Sequence, residues 1–393
     1  MSWPRVLVAG GSIGGLTVAL LLRDLGCEVD VFERSAAALE DRGAGIVVLP
    51  ITERYFLERD SIGERVSLEL TYWTYVDRDG SVISASPDHL RFSGWSTIYR
   101  ALLDAFGHDH YHLGHEMVGF DNRPDSVTVH LGTGHSVEGE LLVCADGLAS
   151  TGRGILLPGV QPEYAGYVAW RGTAAERDLS RQAQADLADS MIYQVLQGGH
   201  ILVYAIPDHD GRSTPPHRIM NFVWYRNYPE GGPFEDLMTG NDGQQRAGTM
   251  PPGTVRAEHL SEMRSTSAEI LAPTLLEVVS GCEEPLIQAV FDLESPEMAF
   301  GRVCLIGDAA FGLRPHVAAG QAKACADAWA LHDALAAANG DVTAALASWE
   351  PGQLALARGA LARTREMGVA SQFEGTMFPG DPAWKFGLWE PGN

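Results

Sequence analysis

The chain has 393 residues, 45% hydrophobic and 20% charged, which is enough to bury a large core in about two to three domains and excludes a fibrous or disordered chain. With 28 Lys plus Arg against 51 Asp plus Glu, the net charge is -23, a field that repels polyanions and anionic lipid and argues against nucleic-acid and membrane partners. The five cysteines (Cys27, Cys144, Cys282, Cys304, Cys325) are odd in number and never spaced C-x-x-C, the usage expected of reduced, buried thiols in a cytoplasmic protein.

The N-terminal run Val6-Leu7-Val8-Ala9 stops at glycines after four residues, so no secretory signal is expected there. The longest apolar stretch, Leu16 to Leu22, is seven residues, far short of a bilayer span, and a soluble protein is expected. Val6 to Ala9 reads as a buried strand, Ile13 to Leu25 as a helix with Leu16, Ala19 and Leu20 on one face and Gly26 as its stop, and Glu28 to Glu33 as a second strand. Together they form a β-α-β unit.

Gly10-Gly11-Ser12-Ile13-Gly14-Gly15 connects the first strand to the helix and matches the dinucleotide fingerprint at its first and last glycines, with Ser12 where a middle glycine is usual. Such a turn aims backbone amides at a pyrophosphate. Ser12 narrows the approach, although its hydroxyl can donate a hydrogen bond. Glu33, followed by Arg34, stands where an acidic residue accepts hydrogen bonds from an adenosine ribose. The competing reading is a glycine-rich turn without a ligand, and the unit alone does not separate NAD from FAD.

Further along, Leu141 to Gly147 and Val303 to Asp308 repeat the pattern of a buried strand entering a glycine or aspartate turn. Between them, from Tyr164 to about Ala289, strands alternate and carry many aromatics, which predicts a sheet covered on one side only. Within it His200, Leu202 and Tyr204 share one face of a strand, and Met220, Phe222 and Trp224 one face of the next. Such faces can floor a site for a flat ring or be ordinary core. Asp308, closing a buried strand, is expected to turn its carboxylate to the crevice at the sheet's C-terminal edge, the alternative being a helix cap. Asp146 either orients its turn or touches a cofactor. Gly320 opens the approach to a helix carrying Lys323 to Ala338, and Val342 to Arg365 continues helical.

Cys144-Ala145-Asp146-Gly147 through Arg153, and Gly307-Asp308-Ala309-Ala310 followed by Pro315 and Gly320, resemble the Asp-Gly and Gly-Asp motifs of class A FAD-dependent monooxygenases, the aromatic hydroxylases of the p-hydroxybenzoate hydroxylase type. Arg100, in Tyr99-Arg100-Ala101-Leu102-Leu103, matches the family arginine that opens a helix and reaches the flavin's phosphate and ribityl region, and Ala169-Trp170-Arg171-Gly172 looks like a family segment. Phe311, Val317 and Ala322 depart from the residues common at those places. The resemblance implies an α/β fold: a Rossmann-like FAD-binding domain (1–70, 96–163, 290–340) interleaved with a substrate-binding sheet domain (71–95, 164–289), then a C-terminal helical segment (341–393).

It also implies non-covalent FAD, NADH or NADPH as co-substrate, and O2, with hydroxyl transfer from a flavin C4a-hydroperoxide to an electron-rich hydroxylated aromatic ring. The cofactor contacts implied are Gly10, Ser12, Ile13, Gly14, Gly15, Glu33, Arg34, Arg100, Asp146, Asp308 and Gly320. Pro315 matches the proline whose backbone lies near the flavin's reactive edge, and His200 or Tyr204 is the expected base or acceptor for the ring hydroxyl. No metal is expected, and a homodimer is the common assembly. The alternatives are an NAD-dependent dehydrogenase, which leaves Gly307-Asp308 unexplained, a flavin-dependent halogenase, whose Trp-x-Trp segment is missing, and a non-catalytic flavin-binding protein.

Overall fold

The computed structural model describes residues 3–39, 45–59 and 66–393. The chain enters on β1 (Arg5–Ala9), turns into α1 (Ile13–Asp24) and returns on β2 (Glu28–Glu33). It then leaves this unit through β3 (Gly45–Val48), β4 (Leu68–Val76) and β5 (Val82–Gly94). Helix α2 (Trp95–Phe106) leads back to β6 (Tyr111–Leu113), and after a small antiparallel ribbon β7 (Leu141–Cys144) enters beside β1, followed by α3 (Thr151–Leu156). A long excursion follows: β8 (Glu163–Ala175), β9 (Ser190–Leu196), β10 (Gly199–Ile206), β11 (Ile219–Asn227), α4 (Ala257–Ile270), α5 (Pro273–Ser280) and β12 (Leu286–Glu294). β13 (Val303–Leu305), α6 (Gly320–Ala337) and α7 (Val342–Val369) complete the chain's main elements.

The three strands read as entering glycine or aspartate turns lie side by side. Among the described residues the first sheet runs Ala299–Phe300, β13, β7, β1, β2, β6, parallel except for its first short strand. Val6, Leu7 and Val8 are fully buried, as a strand covered on both faces must be. Helix α1 is apolar nearly all round because it is wedged between α2 and α6 as well as against the sheet. All five cysteines are buried and free. No helix among the described residues is long and apolar enough to cross a membrane.

The second sheet runs Thr249–Met250, β12, β8, β11, β10, β9, β4, β5, β3, antiparallel except where β9 meets β4. Two expectations differ from it. β3 and the start of β4, expected within the segment 1–70, pair into this second sheet; residues 1–2, 40–44 and 60–65 of that segment lie outside the described residues. The sheet is also covered on both sides rather than one: every residue of β10 is buried. α5 packs on one face, and the residues that follow α7 close part of the other. Period-two patterning is weak there because both faces are apolar.

Candidate functional site

The N-terminal turn is built by backbone constraint. Gly10 has φ +101°, and a side chain on it would collide with the Ala145 carbonyl, so the turn and the Asp-Gly motif are pressed together. Glu33 is buried and accepts from the Gly11 amide (2.9 Å) and the Ser35 amide (2.9 Å), so its carboxylate holds the turn with one oxygen while keeping a free lone pair on each. Ser12 stands at the N-cap of α1 without a side-chain capping bond, and the first turn holds no acidic residue. That helix start is open to an anion. Ile13 is buried in the core, and Gly14 lets α6 approach: a Cβ there would lie 2.9 Å from Ala324 Cβ. Gly15 packs against the Gly10 carbonyl. Arg34 is exposed, and Arg100 lies mid-way along α2, donating to the His209 carbonyl (3.0 Å). Arg100 does not line the cavity described below.

Asp146 follows β7. Its Oδ2 accepts from the Gly152 amide (3.1 Å) and steadies the start of α3, while its Oδ1 is buried without a partner. Burial pushes its pKa up. The turn-orienting role is visible, with one oxygen to spare. Arg153 then ties the two motifs together, donating to the Ala309 carbonyl (3.0 Å) and to that of Leu148.

Below the Gly-Asp motif lies a feature the sequence reading missed. Lys323 and Asp327, one turn apart on α6, form a fully buried ion pair (2.8 Å). Asp327 Oδ2 also accepts from the Gly307 amide (2.8 Å), and Lys323 Nζ lies 3.4 Å from the Gly307 carbonyl. Both backbone groups of one residue, held at φ +57°, are thus gripped by one pair. The signal was present: two opposite charges at i, i+4 in an otherwise Ala-rich helix.

The neighbouring Asp308 carboxylate has no hydrogen bond among the described residues, and α6 takes Ala319, not Asp308, as its N-cap. Solvent reaches Asp308, yet protein surrounds it closely enough that desolvation pushes its pKa up to about 6, against the pull of Lys323. It looks into a cavity of about 250 Å³. Pro315 and Gly320 line the same side, and a Cβ on Gly320 would meet open space.

The opposite wall is the second sheet. His200, Leu202 and Tyr204 line the cavity from β10, as their shared face predicts. On β11 the ordinary-core alternative holds: Val223 and Tyr225 line the cavity, while Met220, Phe222 and Trp224 are buried in the core behind the sheet. The cause is register, because β10 and β11 pair His200 with Tyr225 and Leu202 with Val223, and directly paired residues share a face.

Tyr204 stacks on Phe92 with ring centroids 4.4 Å apart, and burial pushes its hydroxyl up to about 12. That favours the neutral phenol, which can donate a hydrogen bond into the cavity. His200 stacks on Tyr193 (4.9 Å) and joins its Nδ1 to the Ser371 hydroxyl. Burial, with His316 nearby, holds it well below the usual imidazole pKa, so it is neutral. His316 was passed over in the sequence although it follows Pro315 directly; it lines the cavity, and its Nε2 lies 2.6 Å from the Tyr167 hydroxyl. Arg171, also on the wall, donates to the Gly45 carbonyl (2.6 Å) and to Gln288 (3.1 Å).

These residues fit FAD: an uncapped helix start beside a buried acidic residue for the nucleotide end, and a partnerless carboxylate with open space at Gly320 for the other. No cluster of metal-ligating side chains occurs among the described residues.

Comparison with known proteins is consistent with that fit. A family model described as FAD binding domain-like matches residues 164–292. The chain is 36% identical to 2,6-dihydroxypyridine 3-monooxygenase of Paenarthrobacter nicotinovorans, over 98% of this chain and 96% of that protein. It is 27% identical to 3-amino-4-hydroxybenzoate 2-monooxygenase of Streptomyces platensis, over 93% of this chain and 88% of that one. The solved structure of 2,6-dihydroxypyridine-3-hydroxylase from Arthrobacter nicotinovorans superposes with a TM-score of 0.93 at 35% identity, covering 99% of this chain and 98% of that one.

Proposed function

The chain belongs to the FAD-dependent aromatic monooxygenases, and from that membership we propose that it hydroxylates 2,6-dihydroxypyridine at ring carbon 3, with NADH as reductant and O2 as oxidant. One oxygen atom enters the ring in place of hydrogen, the other leaves as water, and NADH supplies the two electrons. The observation that carries this reading is the cavity itself. It joins Asp308, Pro315 and Gly320 on one side to a wall of His200, Tyr204, Tyr225 and His316, with Arg171, on the other, which supports a flat ring bound between the cofactor-facing motif and hydrogen-bonding side chains.

FAD, when bound, supplies the oxygen-activating chemistry. In this reading the amides of Ser12 to Gly15 and the spare lone pairs of Glu33 hold the nucleotide end, with Arg34 beside them. Arg100, Asp146, Asp308 and Gly320 hold the remainder. The sheet does the rest. Tyr204 donates to a ring oxygen, neutral His200 accepts from a ring hydroxyl, and the aromatic wall excludes water from the reacting carbon. A homodimer and the cytoplasm complete the reading.

The test is NADH oxidation by the FAD-loaded protein with hydroxylated pyridines and benzoates in turn, each product identified. Stimulation by 2,6-dihydroxypyridine with formation of 2,3,6-trihydroxypyridine is expected, with NADH outperforming NADPH. Stimulation by a benzoate alone would move the substrate assignment, and no stimulation by any ring would end it. Acid precipitation should release all of the yellow colour as FAD; colour left in the pellet would contradict non-covalent binding.

A further inference from the structure

His316 is 3% exposed and lines the cavity, and its Nδ1 is buried with no partner among the described residues. A native fold rarely strands such an atom unless a ligand completes it. Whether Nδ1 offers a proton or a lone pair depends on its other nitrogen. Burial brings this imidazole down to about 3, so at neutral pH the ring is uncharged and carries one N–H. Its Nε2 meets the Tyr167 hydroxyl at 2.6 Å.

Tyr167 has a second polar neighbour. The Arg314 guanidinium lies 5.7 Å from the Tyr167 ring centroid and is held by Asp292 through two hydrogen bonds of 2.8 and 2.7 Å. Gly368 on α7 makes room for this approach, since a Cβ there would lie 2.7 Å from Arg314 Nη1 and 2.8 Å from the Tyr167 hydroxyl. A guanidinium only donates. Among the described residues the Tyr167 proton therefore has one acceptor in reach, His316 Nε2, and the imidazole's own proton is left on Nδ1.

We infer that His316 donates a hydrogen bond from Nδ1 to an oxygen of the ring bound in the cavity, and that Tyr167 is the positioning residue that sets this tautomer. The inference rests on the aromatic-hydroxylase reading above and adds a selectivity to it. A donor at this place favours a ring presenting an acceptor, an ionised oxygen or a lactam carbonyl, and it disfavours a ring presenting an amino group there.

Two measurements on the FAD-loaded protein test this. With ring-labelled 15N histidine, the His316 signals, assigned by their loss in His316→Asn, should show the proton on Nδ1; in Tyr167→Phe they should shift toward the Nε2-protonated form. A proton on Nε2 in the wild type, or a tautomer indifferent to Tyr167→Phe, overturns the inference. In spectral titrations with 2,6-dihydroxypyridine, His316→Leu should weaken binding about 10- to 100-fold, and His316→Asn, whose amide can replace the Nδ1 donor, should stay within about 3-fold of wild type. Equal weakening in both variants, each checked by thermal melting, also overturns it. If the wild type fails to bind this probe, the substrate assignment falls, and the tautomer measurement still decides whether the cavity is offered a donor.

Discussion

The two sheets that meet at the cavity hold their polar groups in opposite ways. At the C-terminal edge of the first sheet, charged side chains grip backbone: Glu33 the Gly11 amide, Lys323 and Asp327 both ends of Gly307, and Arg153 the carbonyls of Leu148 and Ala309. On the second sheet, rings hold rings: His200 between Tyr193 and Tyr225, Tyr204 on Phe92, and His316 against Tyr167. The first arrangement fixes the path of the chain where a cofactor needs one shape. The second packs mainly uncharged rings, with Arg171 among them, around the cavity.

The largest effect expected is on the gripping side. Asp327→Ala leaves the Lys323 ammonium buried without its partner and should cost about 3 to 5 kcal/mol in denaturant unfolding, whereas replacing both residues by methionine should cost much less. A double variant as unstable as the single one would show that the gripped Gly307 backbone, not the stranded charge, dominates.

The ring-holding side should split by face. Phe222→Ala, in the core behind the sheet, should lose about 3 to 5 kcal/mol, while Leu202→Ala, on the face that lines the cavity, should lose clearly less. Equal losses would mean that the cavity wall is as tightly packed as the core.

Asp308→Ala removes a carboxylate with no hydrogen-bond partner among the described residues, so it should weaken FAD binding by about 1 to 3 kcal/mol, about 5- to 150-fold, with the fold intact. An unchanged dissociation constant would remove Asp308 from the cofactor site. Tyr204→Phe takes away only a neutral donor; hydroxylation per NADH consumed should fall, by an effect of about 0.5 to 1.5 kcal/mol, with FAD affinity unaltered. Unchanged coupling would place the ring contact elsewhere.

The smallest effect is one of pH. Folding raises the Asp308 pKa from 3.8 to about 6, so the folded apoprotein holds this proton more tightly than the unfolded chain does. That contribution is fully present below the unfolded value and is lost as pH rises through about 6. Asp308→Asn should therefore melt about 1 to 3 °C above wild-type apoprotein at pH 7.5, the difference closing by about pH 4. A difference independent of pH would show that the carboxylate is well hydrated in the apoprotein.

Much of the first wall was legible from local sequence. A four-residue apolar run followed by Gly10-Gly11 leaves few conformations open, and Asp308 at the end of a buried strand has to emerge at the sheet's edge. The Lys323 and Asp327 pair escaped notice because helical spacing shows that two charges can meet, not that the helix side carrying them is buried. On the second wall the strands themselves were legible, but which residues of β11 faced the cavity was not, since alternation defines two faces without saying which one looks inward.

By itself, then, the amino-acid order determined the β-α-β unit, the glycine turn, the two later motifs and the buried character of the five thiols, all consequences of short-range sterics and of how apolar runs must be covered. The register pairing His200 with Tyr225, the transfer of β3 into the second sheet, and the meeting of His316 with Tyr167 across 149 positions were decided only by the tertiary structure. The physical reason is that a one-residue slip in register exchanges every side chain between faces, and long-range packing is what selects among such alternatives.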